Sequence, residues 1–212
     1  MRTVLIAAAM MAAVSVSKAQ GGDDKDKSTG GSGVPAGYMG RTDRETAKIA
    51  DAKYVSKGGK WEITTGPAHI VYSPKNTATG VYQVTSTIDQ LEAPAHPEAY
   101  GIFFGGKDLD KPTQTYTYFE VRGTGEYLIK VREGDKTRTV TNWTASDAVP
   151  KADASGKGSY KLSVHFAPDV AHFSVNDKLV ATVPKKDLTT EGIYGIRVNH
   201  NLHVAVSPVE KK

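Results

Sequence analysis

Residues 159–206 read SYKLSVHFAPDVAHFSVNDKLVATVPKKDLTTEGIYGIRVNHNLHVAV. Apolar and polar side chains alternate here over short runs separated by small turns. Tyr160, Leu162, Val164 and Phe166 share one parity; Ala171, Phe173 and Val175 follow, then Ile196 and Val198, then Leu202, Val204 and Val206. A strand sends successive side chains to opposite faces, so a period of two builds half-buried antiparallel strands rather than helices. Such strands bury their apolar faces against a second layer, which predicts a two-sheet sandwich.

The pattern extends toward the N-terminus. Strands are expected at residues 61–64, 69–72 and 81–88; in the last, Tyr82, Val84, Ser86 and Ile88 point inward and Gln83, Thr85, Thr87 and Asp89 outward. Residues 100–104 are nearly all apolar, as in a strand covered on both faces. Residues 116–122 and 126–132 flank Gly123-Thr124-Gly125, a hairpin signature, and 137–143 continues the meander. About ten to twelve short strands at this spacing predict an all-β antiparallel sandwich of jelly-roll type. At most one short N-terminal helix is expected, over residues 44–53 with Asp43 as its cap.

Residues 1–19 read as a secretory signal: Arg2 is the basic region, 4–16 the apolar region, and Ser17-Lys18-Ala19 the cleavage site, giving a mature start at Gln20. An apolar run this short falls below the roughly 20 residues a membrane span needs. Residues 20–33 (QGGDDKDKSTGGSG) hold no large apolar side chain and read as a disordered linker. One domain then occupies 34–212. With no cysteine in the chain, an exported domain relies on its core alone, and the location implied is secreted or periplasmic, in a bacterium. The chain carries 27 basic and 23 acidic side chains; losing Arg2 and Lys18 with the signal leaves a net +2. The charges are interspersed and form no basic stripe, which argues against nucleic acid.

The order Tyr118-Phe119-Glu120-Val121-Arg122, Tyr127-Leu128-Ile129-Lys130, Tyr160-Lys161-Leu162-Ser163-Val164, Phe173-Ser174-Val175-Asn176 and Gly192-Ile193-Tyr194-Gly195-Ile196-Arg197-Val198 resembles the concanavalin A-like lectin/glucanase sandwich. In particular it is similar to the laminin-G-like and family-16-like jelly rolls of exported bacterial proteins, one group of which resembles 3-keto-disaccharide hydrolases. The likeness covers residues 61–209. It implies a fold that hosts lectins, hydrolases and interaction modules alike.

Family-16 catalysis uses a Glu-x-Asp-x-x-Glu strand, with two carboxylates about 5–5.5 Å apart. The nearest match is TIDQLE at 87–92: Asp89 and Glu92 fit the last two acidic positions, but Thr87 stands where the nucleophile belongs. A threonine cannot replace that carboxylate, so the family's glycosidase chemistry is not expected. Glu98 and His96 form a second locus, an acid/base pair in a hydrolase or lyase, or simply a loop in which Pro97 sets the turn. No third partner is visible beside them, which favours the loop.

In the resembled fold the outward face of one concave sheet takes the ligand. Tyr116, Tyr118, Glu120 and Arg122 on one strand, Gln83 on another, and Arg197 and Asn199 near the end are the expected ligand contacts, with Lys130 and Arg132 on a third strand. Aromatic faces suit sugar C–H patches, and planar Arg, Asn or Gln groups fix hydroxyls. The plain alternative is a polar face that meets water. Trp61 and Trp143 read as core plugs, Trp143 alternatively as a rim platform.

No cofactor is expected. Asp108 and Asp110 offer two oxygen ligands for a structural calcium, short of the six to eight that ion takes. His200 and His203 converge only if a turn separates them, and His69, His165 and His172 read as solvent-facing. The expected function is an exported, non-catalytic module binding a glycan or small polar ligand. The alternatives are a sugar-active hydrolase or lyase using Glu98 and His96, and a structural or protein-interaction domain of the bacterial envelope.

Overall fold

The structure, a computed structural model, describes residues 26, 27, 29–31 and 33–212. The signal read at 1–19 and much of 20–33 lie outside them. Among the described residues, the first strands are β1 (Met39–Thr42), β2 (Lys53–Lys57), β3 (Lys60–Thr64), β4 (His69–Tyr72), β5 (Thr77–Ala78) and β6 (Tyr82–Gln90). The long central strands are β7 (Ala99–Lys107), β8 (Thr115–Arg122), β9 (Glu126–Glu133), β10 (Lys136–Ala145) and β11 (Gly158–Phe166). The last are β12 (Val170–Val175), β13 (Lys178–Pro184), β14 (Gly192–Val198), β15 (His203–Val206) and β16 (Glu210–Lys211).

They form two antiparallel sheets. The first runs β1-β4-β14-β7-β8-β9-β10, with β5 on β14; the second runs β13-β12-β11-β6-β15-β3-β2, with β16 on β6. The jelly-roll sandwich read from the alternation is the fold observed. On β11, Tyr160, Leu162, Val164 and Phe166 are fully buried, and the residues between them face outward. Between the layers Phe104 meets Phe166 at 4.8 Å and Phe119 meets Phe173 at 5.2 Å, centroid to centroid and edge to face. Each such side chain contributes about 1.5–3 kcal/mol by leaving water.

A second, smaller apolar cluster lies on the outer face of the first sheet: Ile70, Tyr72, Phe103, Tyr116, Tyr118 and Leu128, with Leu109 packed on them. It explains why β7 is buried on both faces. Register shifts between β7 and β8, β14 and β7, and β9 and β10 bend this sheet. The loop carrying Leu109 is tied down by Arg41, whose guanidinium donates to the carbonyls of Leu109 (3.1 Å) and Lys111 (2.9 Å).

The helix expected at residues 44–53 is absent. Only a 3-10 turn, Ile49–Asp51, forms there, and Lys53 already belongs to β2. So short a segment cannot offset helix nucleation, and Asp43 is engaged elsewhere. No helix among the described residues is long and apolar enough to cross a membrane.

Candidate functional site

Three strands of the first sheet place one residue each in a row across its outer face. Arg197 on β14 lies opposite Gly101 on β7, and Gly101 lies opposite Glu120 on β8. With no side chain on the middle strand, the guanidinium reaches across it: Arg197 Nε is 3.2 Å from Glu120 Oε1. Its other nitrogens donate to both oxygens of Asp43, at 2.8 and 2.7 Å, and Nη1 also to the Tyr116 hydroxyl at 3.3 Å. The guanidinium lies 4.5 Å from the Tyr118 ring centroid. The Arg197–Glu120 contact is short but not aligned as a hydrogen bond, so Nε and Oε1 are buried charges in contact, each without a directed partner.

Burial sets the titration of this cluster. It drives the Glu120 carboxyl up to about 7 despite Arg197, with the charges of Asp43 and Glu98 adding to the rise. Burial also opposes ionisation of Asp43, but Arg197 outweighs it and holds that carboxyl at about 2. Behind the row sits His69, expected on the surface from its strand position but fully buried. Its Nδ1 donates to the Pro67 carbonyl (2.8 Å), so Nε2 accepts from the Tyr54 hydroxyl (2.5 Å). Burial lowers His69 to about 4.

These shifts give opposed pH slopes. His69 is held neutral, so its contribution is intact above the usual value near 6.5 and is lost as pH falls toward 4, a loss of about 3 kcal/mol. Glu120 binds its proton more tightly when folded, so it destabilises progressively as pH rises from 4.5 to about 7. Between pH 4.5 and 6.5 the two nearly cancel. Urea unfolding of His69→Gln is expected to show stability rising as pH falls through this window, and of Glu120→Gln to show it falling. Parallel profiles for the two variants contradict this assignment.

At one end of the row is a cavity of about 230 Å³ bounded by Asp43, Arg44, Glu98, Arg197, Asn199 and His200, with Asp26 at its edge. His200 Nε2 is 2.8 Å from Glu98, and its Nδ1 is 3.5 Å from Asp26. The turn joining β14 to β15 presents Asn199 and His200. Thr65 pins it, donating to the Asn199 carbonyl (2.9 Å) and accepting from the Leu202 amide (2.8 Å), while Asn201 takes a left-handed φ of 52°. The Asn199 side-chain oxygen is itself buried, with no hydrogen-bond partner among the described residues. Glu98 is also the lip of a second cavity of about 250 Å³, walled by Pro94, Pro97, Gly123 and Ala152 over Gln90.

The residues expected to meet a ligand are thus divided. Arg197 and Asn199 line the first cavity. Tyr116, Tyr118 and Glu120 share the outer face as expected, yet they are 1, 4 and 2 % exposed and form its packed floor. Their ring faces are not open, because the bend of the sheet folds Leu109 and Leu128 against them. Arg122 is half-buried, bonded to Glu126 at 2.8 Å and lying 4.2 Å over the Trp143 ring, which is therefore a capped, half-buried platform rather than a core plug. Gln83 lies on β6 in the second sheet, away from all of these. So do Thr87 and Asp89; Asp89 pairs with Lys60 and Ser159, and Glu92 is 3.8 Å from His203.

His96 is exposed on its loop, and the imidazole that meets Glu98 is His200. A turn does separate His200 from His203, but they diverge: His203 pairs with Glu62 at 2.9 Å. Asp108 bonds Lys111 at 2.7 Å, and Asp110 is exposed. No cluster of three or more His, Cys, Asp or Glu side chains among the described residues is placed to hold a metal. Trp61 packs half-buried against Tyr38, 4.4 Å away. Two members of the site were not picked out from sequence. Asp43 read as a helix cap, and His200 was weighed only with His203.

No protein-family model matches the chain, and no curated protein does. Solved structures do. The carbohydrate binding module CBM66 from Bacillus subtilis superposes with a TM-score of 0.56 at 14 % identity, over 83 % of this chain and 95 % of that one. A protein of unknown function with a galectin-like fold, also from Bacillus subtilis, gives 0.60 at 12 % identity over 82 and 88 %. A glycoside hydrolase family 16 endo-glucanase from Bacteroides ovatus gives 0.59 at 9 % identity over 82 and 94 %. Likeness at such low identity establishes the fold alone, a jelly-roll sandwich like that of the concanavalin A-like lectins and glucanases.

Proposed function

We propose that this chain is an exported, non-catalytic module that binds a carbohydrate or similar polyhydroxylated ligand in the cavity at the end of the outer face. The observation that carries the reading is the cavity itself, about 230 Å³ and lined by the polar groups of Asp43, Glu98, Arg197, Asn199 and His200. A cavity of this size suits one sugar unit, and Glu98 at the lip of the second cavity gives the next unit a place to go. The likeness to a carbohydrate binding module and to glycoside hydrolases supports a saccharide over other polar ligands. The signal-like leader supports export.

Absence of catalysis is supported by the broken motif: Thr87 and Asp89 belong to the other sheet, Glu92 lies in the bend that follows it, and Asp89 is engaged in an ion pair with Lys60. One observation favours a hydrolase or lyase instead: Glu98 and His200 lie 2.8 Å apart at the cavity, a carboxylate and an imidazole placed as a proton-transfer pair. Thermal shift against a panel of neutral, acidic and amino-sugar oligosaccharides tests both. Binding at 100 times the dissociation constant adds about 2.7 kcal/mol and is readily detected. The expected result is a stabilising saccharide whose effect is lost in Asn199→Leu and Glu98→Gln. No stabilising sugar, or equal stabilisation of both variants, overturns the reading. Product release that Glu98→Gln abolishes replaces it with the enzyme.

A further inference from the structure

On the outer face of the second sheet, far in sequence from the groups of the cavity, two histidines stand directly opposite each other. His165 on β11 and His172 on β12 are cross-strand partners. Their rings are nearly parallel, 8° between planes and 6.0 Å between centroids. His165 is exposed and His172 half-buried, and the strands beneath them are fixed by the fully buried Val164, Phe166, Ala171 and Phe173. Register continues the row on both sides. Thr182 on β13 faces His172, and Gln83 on β6 faces His165.

From this arrangement we infer that the His165–His172 pair is a two-imidazole chelate for a borderline divalent transition cation, Cu(II), Ni(II) or Zn(II). Three features support the chemistry. Neutral imidazole is the side-chain ligand these cations share, with metal–nitrogen distances near 2.0–2.1 Å for zinc. Bringing two rings onto one ion needs only rotation of the exposed His165 side chain, because the backbone already sets the two opposite each other. Finally, Nδ1 of His172 is 3.1 Å from the Thr182 hydroxyl. That contact fixes the ring and leaves Nε2 for the metal, the outer-shell arrangement typical of metal-binding histidines.

The remaining coordination positions are open to water. Gln83 adds an oxygen donor on the His165 side, since its side-chain nitrogen is the atom used toward Thr85, at 3.2 Å. With two imidazoles the site would be exchangeable rather than a resident cofactor site. It would sit on the opposite sheet from the proposed sugar cavity, so metal and saccharide would occupy the chain independently.

The other four histidines are poor competitors. His69 is buried and hydrogen-bonded at both nitrogens, His200 and His203 pair with carboxylates but lie in no cluster of three or more ligating side chains among the described residues, and His96 is exposed on its loop. The test is calorimetric titration of the untagged chain with copper, nickel and zinc chlorides, read alongside thermal midpoints with and without a chelator. One equivalent is expected to bind, with copper tightest and zinc weaker, following the general affinity order. His165→Gln and His172→Gln are each expected to weaken binding at least tenfold while keeping the midpoint measured in chelator. Thr182→Val is expected to weaken it about tenfold with both imidazoles in place. Undiminished binding by the double variant His165→Gln/His172→Gln, or no binding by the parent chain, overturns the inference. Either result leaves the sugar-binding reading to stand or fall on its own titration.

Discussion

Replacing Arg197 with methionine is expected to lower the unfolding free energy by about 3–5 kcal/mol near pH 8, because it strips the guanidinium that bonds the partly exposed Asp43 and touches the buried Glu120. Asp43 is held ionised by this guanidinium, and Glu120 lies 3.2 Å from it with 2 % of its side chain exposed. Without Arg197 both carboxyls must take up protons or reach water, and the packed aromatic floor closes the second route for Glu120. The loss should therefore shrink at pH 5, where Glu120 is already protonated in the parent protein. Removing Glu120's charge as well should restore part of the stability, so Arg197→Met/Glu120→Gln is expected to exceed Arg197→Met at pH 8. A double-mutant cycle from urea titrations gives the coupling directly. A loss below 1 kcal/mol at pH 8, or equal losses at pH 5 and 8, would mean that the carboxylates find water and that the cluster is not the closed unit described.

The same cluster shows which parts of the molecule the sequence discloses. Alternation along β6 and β11 is a local property, visible because one face of each strand is buried and the other is wet. The first sheet hides its second apolar face for the opposite reason. Tyr116, Tyr118 and Glu120 alternate with core residues just as solvent-facing residues would, and only the bend of the sheet together with Leu109 and Leu128 covers them. Nothing within β8 records that covering.

Long-range ion pairs are equally silent. Asp43 and Arg197 are 154 residues apart, so a lone aspartate ahead of a helix-like run reads as a cap. Gln83 failed as a companion of Tyr118 because parity assigns a face within a sheet but not the sheet itself. The turn at Asn199–Leu202 is the part a closer reading could have found. Asparagines flank His200, and Asn201 adopts the left-handed conformation that asparagine tolerates.

Gly101→Ala is expected to cost about 3 kcal/mol or more, toward the upper end for a single methyl forced into a packed region. The added carbon would sit 1.9 Å from the Phe119 carbonyl oxygen and 2.8 Å from the Glu120 Cα, both backbone atoms of the neighbouring strand. No rotamer can relieve such a contact, so β7 and β8 must separate where they pair most extensively. Gly40→Ala provides the contrast. Its methyl would meet side-chain carbons of Ile49 and Val34 at 2.7–2.8 Å, and those can swing aside on a half-buried edge strand. The alanine at 101 also enters the gap through which Arg197 reaches Glu120, so its effect should extend beyond stability. The carboxyl would lose its cation and titrate higher still, steepening the alkaline loss of stability that Glu120 already causes. Comparing the two glycine variants in urea at pH 5 and pH 8 separates these effects. Gly40→Ala should show a small and pH-independent loss, and Gly101→Ala a large one that grows with pH. If Gly101→Ala instead matches Gly40→Ala at both values, the strands are not in the close register that brings Arg197 and Glu120 together.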